Sequence, residues 1–123
     1  MPRGYATRRE GARGRRRRTW PPTRRVLERL VDEAIVDAYS ESEQRVGFLT
    51  MIDEHLVLPF ETKVLGITVV VDRIDVTEGD ELIAICRRGN KRQSIPLLDL
   101  PLPKPPPEGS EWIEAYRHWA RGR

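Results

Sequence analysis

Residues 26–60 read VLERLVDEAIVDAYSESEQRVGFLTMIDEHLVLPF, with apolar residues at helical spacing on both sides of Tyr39-Ser40. In the first half, one apolar stripe faces a charged stripe, which predicts an amphipathic helix that ends at this pair. Ser40 followed three residues later by Glu43 has the pattern of a capping box. A second helix is therefore expected to begin near Glu41 and to end before Pro59.

From Phe60 onward, short runs rich in β-branched residues predict strands separated by turns. The segment Arg88-Gly89-Asn90-Lys91 predicts a tight hairpin. The alternation of apolar and polar residues slips near Asp72, which indicates a β-bulge. Leu82–Cys86 is apolar on both faces, so its strand is expected to be central. The predicted strands are Thr62–Leu65, Ile67–Val76, Leu82–Arg88 and Gln93–Leu98.

Prolines at 101, 103 and 105–107 require an extended connector. After Ser110, apolar residues return at helical spacing and predict a final helix, whose buried face is formed by Trp112, Ile113, Tyr116 and Trp119. The chain order is then two helices, a four- or five-stranded antiparallel meander and a C-terminal helix. This order predicts an α+β domain whose sheet curls into a small, SH3-like barrel.

The charge of the chain changes sign after Arg25. Residues 1–25 carry ten arginines against Glu10, a net of +9, whereas residues 26–123 carry twelve basic and eighteen acidic residues, a net of −6. A segment of Arg, Gly, Thr and Pro cannot bury enough apolar surface to offset the entropy lost on ordering. Residues 1–25 are therefore expected to be a disordered tail, and residues 26–123 a single acidic domain.

Several classes of protein are disfavoured by what the sequence lacks. It has no apolar run of about 18 residues, so no membrane span is expected. Cys86 is the only cysteine, which excludes intramolecular disulfides and cysteine-based zinc sites and favours a reducing cytoplasm. No glycine-rich phosphate loop, nucleophile elbow or paired-histidine zinc helix is present. We therefore expect a cytoplasmic, monomeric protein that is not an enzyme.

Some acidic residues stand where a helix dipole disfavours them. Asp37 ends the first helix and Asp53-Glu54 lie near the end of the second, where a negative charge costs about 0.3–1 kcal/mol. A bound cation would reverse this penalty, because carboxylates and helix-end carbonyls would then act together as ligands. Calcium takes roughly six to eight oxygen ligands in flexible geometry.

Three groups of acids are close in sequence, and none has the spacing of an EF-hand loop. A solvated helix face or a charged turn is the alternative explanation for each of them. The groups are Asp37, Glu41 and Glu43 at the hinge; Asp53, Glu54 and Glu61 at the helix-to-strand junction; and Asp72, Asp75, Glu78, Asp80 and Glu81 around the strand turn.

Two blocks of the sequence resemble the CcbP-type calcium-binding proteins of prokaryotes. The first block is Ile35–Tyr39 with the acids Glu41 and Glu43, then Gly47, then Met51–Leu56 leading into Pro59-Phe60. The second is the aromatic stretch Trp112–Trp119, which resembles the closing helix of that family. The resemblance spans residues 26–121 and implies a small acidic protein that binds Ca²⁺ through surface carboxylates outside any EF-hand.

The resemblance implies a metal role for Asp37, Asp53 and Glu54. Glu43 and Glu61 are added to this ligand set on local grounds alone. The chain departs from the family at Phe48–Thr50, where tyrosines are common, and in its Arg-rich tail. The predicted metal ligands are thus Asp37, Glu43, Asp53, Glu54 and Glu61.

Two groups of cations support an alternative function as a nucleic-acid-binding module. A disordered basic arm binds phosphate backbones without sequence preference. For the cations around the hairpin, a charged turn that protects a sheet edge is the simpler explanation. A third interpretation is an interaction domain that binds no metal. The cations are Arg15, Arg16, Arg17 and Arg18 in the tail, and Arg87, Arg88, Lys91 and Arg92 at the hairpin.

Overall fold

The computed structural model describes residues 20–122, so the arginine run at 15–18 lies outside the described residues. Within them, three α-helices accompany a four-stranded antiparallel sheet, which confirms the predicted α+β class. In chain order the elements are α1 (Arg24–Ala34), α2 (Glu41–His55), β1 (Phe60–Val64), β2 (Ile67–Val76), β3 (Leu82–Arg88), β4 (Lys91–Pro96), a 3-10 helix (Leu97–Asp99) and α3 (Ser110–Arg121).

Helix α1 ends several residues before the expected break at Tyr39-Ser40. Its last residue is Ala34, and the chain then turns through Asp37, whose φ is 63°. The reason is the close approach of α2, since a Cβ on Gly47 would lie 2.1 Å from the carbonyl oxygen of Ala34. The two helices therefore meet backbone to backbone, and the apolar pattern beyond residue 34 belongs to the turn.

The capping box at the start of α2 is confirmed. Ser40 Oγ accepts a hydrogen bond from the Glu43 amide at 3.1 Å, and Glu43 Oε1 accepts one from the Ser40 amide at 3.1 Å. The same carboxylate oxygen also accepts from the Tyr39 amide at 2.7 Å. These bonds satisfy amide groups that the first turn of a helix leaves without intrahelical partners.

The predicted small barrel is wrong, because the sheet is open. The strand order is β1-β2-β3-β4, so within the described residues β1 and β4 are the two edges and do not pair with each other. Closure is unnecessary because the helices cover the inner face of the sheet, where Val71, Ala84 and Cys86 are buried. The proline connector lies beside β1, where Thr62 Oγ1 donates to the carbonyl of Pro101 at 2.7 Å.

Three local predictions for the sheet are confirmed. The register shifts between Val71 and Arg73, which is the expected bulge at Asp72. Strand β3 is central, and Arg88 pairs with Lys91 across the predicted hairpin. The expected range of four or five strands resolves to four, and β4 begins at Lys91, two residues before the predicted start.

Helix α3 closes the core and contacts both other helices. Its predicted apolar face is buried: Trp112, Ile113, Tyr116 and Trp119 all have exposures of 6% or less. At its N-cap, Gly109 has a φ of 94°, and a Cβ there would lie 2.2 Å from the carbonyl oxygen of His55. Glycine therefore allows the start of α3 to pack directly against the end of α2.

A buried arginine joins α3 to the 3-10 helix, and the sequence pattern did not indicate it. Arg117 is only 8% exposed, and its guanidinium donates to the carbonyls of Leu97 and Leu100 and pairs with Glu114 at 3.1 Å. Burial lowers the pKa of Arg117, which Glu114 partly counteracts.

Among residues 20–122, no helix combines the length and apolar character needed to cross a membrane.

Candidate metal centre

The end of α2 carries two of the predicted ligands, Asp53 and Glu54, in its last turn. This helix end is held in place by the segment before α3. The amide of Val57 donates to the carbonyl of Glu108 at 2.9 Å, and Gly109 packs against the carbonyl of His55. The two carboxylates therefore stand on a fixed helix end, where the carbonyl dipoles already make the local potential negative.

Asp53 experiences a second source of negative potential from β2. Partial burial raises the pKa of Asp53, and the charge of Asp75 raises it further. Both effects disfavour the ionised form of Asp53, the first by loss of hydration and the second by repulsion between like charges. A divalent cation between the end of α2 and β2 would offset both effects.

The carboxylate of Asp75 already makes one hydrogen bond and one ion pair. Its Oδ1 accepts a hydrogen bond from the amide of Val76 at 2.8 Å, and its Oδ2 lies 3.6 Å from Nε of Arg73. Because this pair is exposed, solvent screens the attraction between the two charges. In the sequence, Asp75 belongs to a different acidic group from Asp53, since only the packing of α2 on β2 brings them within electrostatic range.

Glu54 lies beside a histidine that is fixed by an aromatic ring. Its Oε1 is 3.9 Å from Nε2 of His55, and the imidazole stacks on Trp112 with the ring centroids 5.4 Å apart. His55 thus packs against α3 at the same helix end. This contact links the acidic end of α2 to the aromatic core.

The two predicted ligands at the hinge have different surroundings. Asp37 is exposed in the left-handed turn after α1. Glu43 is occupied in the capping box, where its Oε1 accepts from two backbone amides. Glu43 therefore has a structural function, and only its second carboxylate oxygen lies outside that box.

Glu61 is exposed on β1, opposite Val70. It lines an open groove of about 340 Å³ between this strand and the proline connector. Lys63 and Lys104 line the same groove, so the positive charges there outnumber the carboxylate. This groove is consequently a poor match for a cation.

The five predicted ligands do not form a single cluster. Anywhere in residues 20–122, no three side chains of His, Cys, Asp or Glu converge closely enough to hold a metal ion. At the end of α2, the described residues place Asp53 within electrostatic range of Asp75 and beside the carbonyl groups of the helix end. Calcium fits such a donor set best, since it accepts carboxylate, carbonyl and water oxygens in variable geometry.

Comparison with protein families identifies a match over most of the chain. The family model of CcbP-type proteins, described as calcium binding, matches residues 28–120, about three quarters of the chain. The match runs from α1 into α3 and confirms the resemblance identified from the sequence. No curated protein and no solved structure matches the chain.

Proposed function

The chain belongs to the CcbP-type family of calcium-binding proteins, and on that basis we propose that it is a non-catalytic calcium buffer or sensor that binds the ion outside any EF-hand loop. The observation that carries this proposal is the position of Asp53. Its ionised form is disfavoured by a helix C-terminus, by loss of hydration and by the charge of Asp75. A bound Ca²⁺ offsets all three effects at once.

We propose Asp53 and Asp75 as the pair of carboxylate ligands at this helix end. Glu54 stays a predicted ligand, which would have to move to reach the same ion because adjacent residues of a helix do not face the same way. Backbone carbonyls at the end of α2 and water molecules complete the roughly six to eight oxygens that calcium takes. Asp37, Glu43 and Glu61 stay predicted ligands, either for a further ion or for a rearranged site. Of these, Glu43 is the weakest candidate at the hinge because the capping box occupies one of its oxygens.

The small number of carboxylates sets the expected affinity. Calcium sites with few charged ligands and little rigidity have dissociation constants of about 10⁻⁴–10⁻³ M. A site of this strength responds to large calcium loads rather than to resting cytosolic concentrations. This favours a buffer, or a sensor of high calcium, over a high-affinity store.

The cytoplasm and a monomeric state are parts of the same proposal. Cys86 is a free thiol buried on β3, and the fold as described depends on no disulfide. We expect the calcium site not to depend on the predicted tail, because Asp53 and Asp75 lie in α2 and β2.

Thermal melts of the full chain test the proposal. A ligand that binds only the folded state stabilises it by RT ln(1 + [L]/Kd), which at 10 mM calcium and the affinity above is about 1.4–2.7 kcal/mol. For a domain of this size each kcal/mol raises the melting midpoint by about 4–8 °C. Magnesium at the same concentration is expected to have a smaller effect, because it demands octahedral geometry. An unchanged midpoint at 10 mM calcium would count against the proposal.

A further inference from the structure

The β3–β4 hairpin gathers cations that the calcium site does not use. Its register places Arg87 directly opposite Arg92, and Arg88 directly opposite Lys91. Like charges opposite each other on neighbouring strands destabilise a sheet. Because successive residues of a strand point to opposite faces, the first pair lies on the outer face of the sheet and the second pair on the other side of the hairpin.

Only one of these four cations has a close counter-ion among residues 20–122. Arg87 forms a two-pronged pair with Asp72, with Nε to Oδ2 at 2.9 Å and the second nitrogen to Oδ1 at 3.0 Å. That bond lowers the pKa of Asp72, and the charges of Arg92 and Arg73 lower it further. In the described part of the chain, no ion pair neutralises Arg88, Lys91 or Arg92.

We propose that the β3–β4 hairpin is an interaction surface for the phosphate backbone of duplex nucleic acid. The phosphates of a duplex are contacted by exposed cations regardless of base sequence. Arg87 and Arg92 lie on the outer face of the sheet and Arg88 and Lys91 lie beside the turn, so the four cations can contact several phosphates at once. This inference is independent of the proposed calcium function.

The chemistry of the surface favours a nucleic acid over a membrane. Three of its four cations are arginines, whose planar guanidinium groups match phosphate oxygens in pairs. A basic patch alone anchors a protein poorly to lipid, because stable anchoring takes a second, apolar signal, and the exposed large apolar residues of the described chain lie outside β3 and β4. No aromatic residue lies on the hairpin to stack on bases, so binding is expected to depend on the backbone rather than on sequence.

The salt dependence of binding by the full chain tests this proposal. Fluorescence anisotropy with a labelled 20-base-pair duplex, measured from 50 to 200 mM salt, gives the slope of log K against log[salt], and each phosphate contact contributes about 0.9 to it. The triple variant Arg88→Gln, Lys91→Gln, Arg92→Gln is expected to reduce the slope by about 2–3. All three side chains are exposed, so the variant should fold.

A matched control removes the same amount of charge elsewhere. Arg29→Gln, Lys104→Gln and Arg121→Gln change three exposed cations on α1, the connector and α3, and should reduce the slope by less than one. Every variant retains the arginine tail, so any contribution of the tail to the salt slope cancels when the variants are compared. Equal reductions in the two triple variants, or no reduction in either, would overturn the proposal. Binding to phosphatidylserine vesicles without binding to the duplex would also overturn it.

Discussion

Replacing Asp53 by asparagine should stabilise the calcium-free protein and weaken its response to calcium. The substitution removes a negative charge from the last turn of α2 and the repulsion from Asp75. The dipole effect alone amounts to about 0.3–1 kcal/mol. At about 4–8 °C per kcal/mol, the melting midpoint without calcium should rise by about 1–8 °C.

The gain in stability from Asp53→Asn should be larger at neutral pH than in acid. Because the pKa of Asp53 is raised in the folded state, its effect on stability is most favourable below the unfolded pKa, about 3.9. That contribution is lost as the pH rises through the folded pKa, where Asp53 ionises. The variant should therefore be more stable than the native chain at pH 7, and this advantage should disappear below about pH 4.

Melts of the full chain with a calcium chelator and with 10 mM calcium measure both effects. Asp32→Asn is the matched control, because Asp32 lies in the last turn of α1 as Asp53 lies in the last turn of α2. The control should gain a similar dipole contribution without the relief of repulsion from Asp75, and should retain its full response to calcium. A lower midpoint for calcium-free Asp53→Asn, or an undiminished calcium response, would refute the reasoning.

Three further substitutions test the packing and the charges of the fold. Gly109→Ala places a Cβ 2.2 Å from the carbonyl of His55 at a φ of 94°, so urea denaturation should show a loss of at least about 1–3 kcal/mol. Arg117→Met leaves the carbonyls of Leu97 and Leu100 without their donor, and the same assay should show a loss of about 1–3 kcal/mol for each carbonyl. Arg87 holds the pKa of Asp72 below its usual range, so Asp72 stabilises the fold above its unfolded pKa and this effect is lost as the pH falls through the folded pKa. Melts from pH 2 to 7 should therefore show Asp72→Asn less stable than the native chain at pH 7, with the difference disappearing in acid.

The parts of the fold that local chemistry determines could be predicted from the sequence. The capping box at Ser40 and Glu43, the hairpin at Arg88–Lys91 and the bulge at Asp72 each depend on a few neighbouring residues. The barrel was wrong because closure depends on whether β1 and β4 meet, which no local pattern reports. The end of α1 was wrong for a similar reason, since the contact between Gly47 and Ala34 joins two helices.

The candidate site could be predicted only in part. The unfavourable placement of Asp53 at a helix end is visible from the sequence, because the dipole argument needs only the helix boundary. The charge of Asp75 acts on it through packing between distant segments, so the sequence grouped Asp75 with its own turn. Arg117 was missed because an arginine on an amphipathic helix ordinarily faces solvent, and only the position of Leu97 gives it buried acceptors.

Calorimetric titration of the full chain with calcium tests the central claim most directly. We expect saturable binding with a dissociation constant of about 10⁻⁴–10⁻³ M, strongly weakened in Asp53→Asn and in Asp75→Asn and unchanged in Asp32→Asn. Saturable binding that survives both substitutions would place the ion elsewhere in the chain. The absence of calcium binding to the native protein at millimolar concentrations would contradict the proposed function itself.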